Sequence, residues 1–307
     1  MKLVDFLKFE RQEIARIVSQ EGRPKNIALM VDGTRRMLKL DPAHRDDCWL
    51  YEAEHIKTMM HKSLGAADIF FDFGVPFVMG PLISYGNLFR KNFMPAGFKN
   101  LLDPLLDEHS IAILKKQAVA VSFYGDLDLV RSLEGGVLVD EYQRRFKELK
   151  PGKIKHHILI GLGFSTEREA LRIAQNAIKK YQQTRRLPTH QDLCIDYFGF
   201  PVPPIDIFIR TNEMRTSGGL TPLLTSSDTQ LYVPVSPGII SLSESLLRRI
   251  LYDYLYNRPH SKGMHEHNAF SESESEQVRE FYLNSKDVVL GVGRRVGDVW
   301  IHQPEDF

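Results

Sequence analysis

Short apolar runs alternate with longer amphipathic stretches along most of this 307-residue chain, and that alternation constrains its fold more than any other feature. Ile27–Val31, Ala118–Tyr124, His157–Gly161, Ile205–Arg210 and Gln230–Pro234 read as strands. Trp49–Leu64, Leu101–Lys116 and Thr166–Arg186 read as helices; the last carries acids early and bases late, as the helix dipole favours. Ala67–Phe73 reads as a further strand. Strands alternating with helices predict an α/β fold, a single domain over 1–307 with a mostly parallel central sheet flanked by helices. Residues 1–22 read as an N-terminal amphipathic helix rather than a signal peptide, because charges interrupt every apolar run. Residues 286–302 read as a C-terminal β-ribbon, and His260–Glu276 as the most loop-like segment.

Composition excludes several classes. A net charge of +1 gives no nucleic-acid signature, so arginines must be judged where they stand. No stretch approaches the roughly 20 apolar residues of a membrane span. The two cysteines, Cys48 and Cys194, lie far apart without metal-type spacing, which predicts free thiols and a cytoplasmic location. The Gly161-Leu-Gly163 turn lacks the third glycine of a dinucleotide site, and Glu167 and Glu169 follow it. His260, His265 and His267 read as a solvated loop, and Arg248 and Arg249 as an exposed or dimer-facing helix pair.

The chemistry concentrates at Ile27–Arg36 (IALMVDGTRR). Ligands of open α/β sheets bind at the carboxyl ends of strands, where this polar cluster falls. Gly33 lets backbone approach a ligand, and Arg35 and Arg36 bring two permanent cations suited to phosphate. Asp32 would repel such an anion unless a divalent metal stood between them. The alternative is a strand followed by a solvated charged turn. A second apolar strand, within Ile205–Ser217 (IDIFIRTNEMRTS), also ends in arginine, with Arg215 and Ser217 close behind.

Asp32, Gly33 and Arg36, then Asp206, Arg210, Thr211, Glu213, Arg215, Ser217 and Leu231-Tyr232, occur in the order seen in the cis-prenyltransferases of the undecaprenyl diphosphate synthase type, and the chain resembles that family over most of its length. The Phe123–Asp126 segment (FYGD) resembles one of its strand ends. Two departures stand out. The family's Asn-Gly after Asp-Gly is Thr34-Arg35 here, and its metal-holding glutamate before Leu-Tyr is Gln230, a poorer Mg²⁺ ligand. Asp-Gly-Thr-Arg-Arg, Phe-Tyr-Gly-Asp, Leu246–Tyr256 and Val289–Trp300 are similar to the terpene-synthase branch of the fold, the tuberculosinol and kolavelool synthases. Where that branch carries a functional tyrosine after a paired acid (Asp46-Asp47), this chain has Cys48, with Tyr51 one helical turn later.

The resemblance implies a Mg²⁺-dependent diterpene synthase. It would ionise a bicyclic C20 allylic diphosphate of the kolavenyl or tuberculosinyl type and capture the cation with water, giving an alcohol such as kolavelool. Asp32 is the expected metal ligand. Gly33, Thr34, Arg35, Arg36, Arg210, Arg215 and Ser217 are the expected diphosphate contacts. Asp32, Arg36, Tyr51 and Tyr85 are the expected catalytic residues, and Asp46 or Asp47 could orient the water. Aromatic rings at Phe70, Phe71, Phe73 and Phe77 are core by default, and an aromatic wall would shelter the cation. The family also implies a homodimer. Elongation with isopentenyl diphosphate, transfer to adenosine and a non-catalytic scaffold role are the alternatives.

Overall fold

Apolar residues fill the first strand, β1 (Asn26–Met30), because both of its faces are covered. Five more strands follow: β2 (Phe77–Ser84), β3 (Val119–Tyr124), β4 (His156–Phe164), β5 (Ile207–Arg210) and β6 (Gln230–Tyr232). All pair in parallel, in the order β3-β4-β2-β1-β5-β6. The computed structural model describes residues 1–21, 24–34, 37, 53–91, 93–240, 242–258, 271–286, 289–296 and 299–302. They gather into two compact units, Met1–Tyr256 and Asn257–Phe307, the sheet lying in the first.

Side-chain alternation along β1 divides the core. Ile27 and Leu29 join Val78, Ile56, Met60, Leu64 and Phe70 on one face. Ala28 and Met30 join Met79, Leu159, Phe208, Cys194 and Phe198 on the other. The predicted α/β layering is therefore present, and the sheet is wholly parallel.

One prediction fails. Ala67–Phe73 is not a strand: the Ala53–Asp72 helix runs through it. Its buried residues Ile56, Met59, Met60, Leu64, Ala67, Phe70 and Phe71 recur at helical spacing, so a periodic stripe continues where a short aromatic run suggested β structure. The chain turns at Gly74, which has φ of 84°, and the strand begins at Phe77. The predicted Leu101–Lys116 helix is divided: Ala96–Leu102 is helical, Asp103–Leu106 forms a 3₁₀ turn around Pro104, and Asp107 caps a new helix, Glu108–Lys116. Residues 1–21 likewise carry two helices, Leu3–Phe6 and Arg11–Glu21.

In the second unit the Glu272–Asn284 helix opens with a capping box between Ser271 and Glu274. Gly293–Val296 pairs antiparallel with Val299–His302. Among the described residues, no helix is long and apolar enough to cross a membrane.

Candidate active site at the carboxyl ends of β1 and β5

Register sets the site. Met30 at the end of β1 faces Arg210 at the end of β5, so the residues after each strand converge at one edge of the sheet. Asp32 and Thr211 lock the two strand ends together. The Asp32 amide donates to Thr211 Oγ1 at 2.9 Å, and that hydroxyl donates to the Asp32 carbonyl at 2.8 Å. The Gly238 amide also donates to this carbonyl, at 2.7 Å.

Gly33 has a packing reason to be glycine. Its φ is 78°, and a Cβ there would stand 2.8 Å from Pro237 Cβ and 2.9 Å from Asn212 Cγ. Its amide donates to Asp32 Oδ1 at 2.7 Å, spending a donor that an incoming phosphate would otherwise meet.

Arg210 is placed differently from the outward-facing anion contact that its sequence position suggests. The side chain is buried, and its guanidinium donates to Asp32 Oδ2 and to the Arg215 carbonyl. It thus orients the metal-ligand candidate and the loop that follows β5. Arg215 is 64% exposed, with Nε 2.6 Å from the Glu213 carboxylate. Glu213 in turn lies 3.9 Å from Arg210. Asp32, Arg210, Glu213 and Arg215 therefore alternate in charge along one cluster.

Burial pushes the Asp32 carboxyl upward, but the Arg210 hydrogen bond, the Gly33 amide and the charges of Arg210 and Arg215 bring it below its ordinary value. It is ionised at neutral pH while 35% exposed. This is a hard oxygen donor with a second carboxylate close by, and Mg²⁺ is commonly held by one or two carboxylates plus substrate phosphates and water. Among the described residues no group of three or more His, Cys, Asp or Glu converges.

The other predicted residues fall around this cluster. Ser217 is exposed on the same loop, with φ of 46°. Thr34 is half-buried next to Gly33. Tyr85 begins a short helix directly after β2, at the same edge of the sheet, and its ring carries the Arg168 guanidinium 4.6 Å from its centroid. Arg168 is held by Asp126 of the FYGD segment at 2.7 Å. The loop after β5 reaches this second group, because Thr166 Oγ1 donates to the Leu220 carbonyl at 3.1 Å. Arg35, Arg36, Tyr51, Asp46, Asp47 and Cys48 lie outside the described residues.

Two motif positions stand elsewhere. Asp206 accepts the amides of Lys25 and Asn26 at 2.7 and 3.1 Å, so it clamps the amino end of β1. Gln230 pairs with Ile207, three positions before Arg210 and roughly 10 Å along the strand at about 3.3 Å per residue. Arg248 donates to Glu244 at 2.6 Å and to the Phe9 carbonyl at 2.6 Å, so it ties helices together and is not the exposed residue expected.

Sequence reasoning missed a cavity of about 100 Å³ between β1, β2, β4 and the Ala53–Asp72 helix. Its lining includes Val31, the residue before Asp32, with Leu82, Met59, Met60, Val78 and Leu105. Its walls are aliphatic. Phe70, Phe71 and Phe73 are buried in the core but do not line it, and Phe77 lines a groove beside β3. Ser63 supplies the one hydroxyl in the wall, and that hydroxyl donates to the Met59 carbonyl at 2.8 Å. Only the apolar run of β1 hinted at such a space.

No protein-family model matches the chain. Tuberculosinyl adenosine transferase of Mycobacterium tuberculosis (strain CDC 1551 / Oshkosh) is 27% identical over 302 residues, 96% of each chain. Lavandulyl diphosphate synthase from Lavandula x intermedia, solved with dimethylallyl diphosphate, superposes with a TM-score of 0.59 at 15% identity. It covers 79% of this chain and 99% of that one. A probable undecaprenyl diphosphate synthase from Campylobacter jejuni gives 0.53 at 19% identity, over 78% and 99%. The six-stranded parallel sheet with flanking helices is the cis-prenyltransferase fold. The chain thus shares the fold of the undecaprenyl diphosphate synthase type and is similar over nearly its whole length to a tuberculosinyl adenosine transferase.

Proposed function

We propose that the protein is a diterpene synthase acting on a bicyclic C20 allylic diphosphate of the kolavenyl or tuberculosinyl type. The observation that carries this reading is a juxtaposition: an ionised, partly exposed Asp32 directly follows Val31, which lines an apolar cavity. A molecule with an anionic head and a hydrocarbon body matches that arrangement.

The C–O bond breaks and pyrophosphate leaves with the electron pair. Asp32 would hold Mg²⁺, which would supply positive charge to the departing oxygens. Arg215 is exposed at the cluster's edge and binds the same anion. Arg210 holds the Asp32 carboxylate in place. Preorganised charge of this kind is often the largest catalytic contribution. The cavity wall is mostly aliphatic, and the Ser63 hydroxyl donates to its own helix. Water then adds through oxygen, loses a proton to solvent, and leaves an alcohol such as kolavelool.

A second reading has one specific support. The relative named tuberculosinyl adenosine transferase aligns over 96% of the chain, so a nitrogen of adenosine could take the place of water. The test is product analysis by mass spectrometry of the full chain with Mg²⁺. It is offered kolavenyl diphosphate, tuberculosinyl diphosphate, or farnesyl with isopentenyl diphosphate, each with and without adenosine. A C20 alcohol is the expected product, and a prenylated adenosine selects the second reading. Elongated prenyl chains, or no turnover of any substrate, overturn both.

A further inference from the structure

Gly80 stands inside a buried parallel strand, where an aliphatic or β-branched side chain is usual and glycine costs stability. On β2, Val78 packs into the core on the side of the Ala53–Asp72 helix, and Met79 into the core on the other. Alternation therefore turns position 80 toward that helix. A Cβ added to Gly80 would meet nothing within 4 Å. The empty space is the cavity that Val31 also lines, and Gly80 is part of its lining. Immediately beyond, the register of β2 against β4 slips between Pro81 and Ile83, a bulge that bends the wall.

We propose that Gly80 sets the width of this pocket, so that a fused-ring hydrocarbon enters where any side chain would leave room for a linear prenyl chain only. The inference rests on the functional reading above, in which a hydrocarbon occupies the cavity. The cavity, at about 100 Å³, is smaller than the ~150 Å³ known to hold a benzene ring, so rings enter only as its walls repack, and a side chain at position 80 would take the width there is. Met59 and Met60 line it as well, and unbranched thioether side chains repack around irregular shapes. A methyl or isobutyl group at position 80 would occupy the width that rings need, while a single file of isoprene units bends past it.

The experiment compares wild type with Gly80→Ala and Gly80→Leu by calorimetric titration in Mg²⁺. The two probes are linear geranylgeranyl diphosphate and bicyclic tuberculosinyl diphosphate. Gly80→Leu should weaken the bicyclic ligand at least 30-fold and the linear one less than 3-fold. Gly80→Ala should move in the same direction, about 3-fold, and keeps the test decisive if the leucine variant folds poorly. Thermal melting should show Gly80→Ala no lower than wild type, because its added carbon enters empty space. Equal losses for both ligands, or none, overturn the assignment to Gly80 while leaving the functional reading intact. Wild-type protein that binds neither ligand overturns the functional reading, and this inference with it.

Discussion

Two demands meet on the Asp32 carboxylate: it is partly exposed to solvent, next to a residue that lines an apolar cavity, and it neutralises the buried Arg210. Substitutions at the two residues should therefore separate chemistry from stability. Asp32→Asn keeps an acceptor for Arg210 but removes the charge, and should lower kcat/KM roughly a hundredfold, as removal of one electrostatic stabiliser does. Retained turnover would deny Asp32 its metal role. Arg210→Met strips the half-buried Asp32 carboxylate and the Arg215 carbonyl of a shared donor. It should cost about 3 kcal/mol in urea unfolding, the scale of breaking a buried pair. Arg215→Ala, at an exposed position, should leave stability within about 0.5 kcal/mol. Its KM for the diphosphate should rise roughly tenfold, one lost charge-assisted hydrogen bond. Sequence spacing brought Asp32, Arg210 and Arg215 together correctly. It could not reveal that Arg210 points inward, because a residue type at a strand end does not fix its rotamer or its partner.

Among the elements, the Thr166–Thr184 helix carries an unusual acid. Glu169 is buried beside the hydroxyls of Tyr197 and Thr221. Burial pushes its carboxyl up to about 7, against the opposing effects of Thr221, Tyr197, the Ser165 backbone and Arg172. Unfolded, it titrates near 4.5. The folded state thus binds this proton more tightly. The resulting stability is fully present below pH 4.5, declines as pH rises through about 7, and is absent above. The contribution is on the order of 3 kcal/mol. Glu169→Gln should remove it: between pH 5 and 8 the urea midpoint of wild type should fall more than that of the variant. Identical slopes would show that Glu169 ionises normally. The helix itself was legible from its pattern, whereas the buried acid was not, since position 169 reads as one of several first-turn acids. The Ala53–Asp72 helix shows the opposite failure: its aromatic C-terminal turn imitates a strand until its burial is followed over several turns.

Distant parts of the first unit meet at Arg11. Its guanidinium lies 2.7 Å from Asp72 and 2.6 Å from Glu244, joining the Arg11–Glu21 helix to the end of the Ala53–Asp72 helix and the start of the Glu244–Tyr252 helix. The partners are far apart in sequence, so no local pattern could announce the contact. Arg248 reinforces it through Glu244 and the Phe9 carbonyl. At Asp72, burial acts upward but Gln117, Arg11 and Lys116 hold the carboxyl below its ordinary value. At Glu244, the Arg11 hydrogen bond leads the downward pull. Depressed carboxyls stabilise the fold above their unfolded pKa values near 4, and that stability is lost as pH falls through the lower folded values. Arg11 is 37% exposed, so solvent screens both pairs and their joint worth is about 1–2 kcal/mol. Arg11→Gln should therefore lower the melting temperature at neutral pH by roughly 2–6 °C, with a smaller difference in 1 M salt. As pH falls through the lowered folded values and the carboxyls protonate, variant and wild type should converge. A difference that does not shrink as pH falls would assign the role of Arg11 to packing of its aliphatic stem, and not to the two charges it joins.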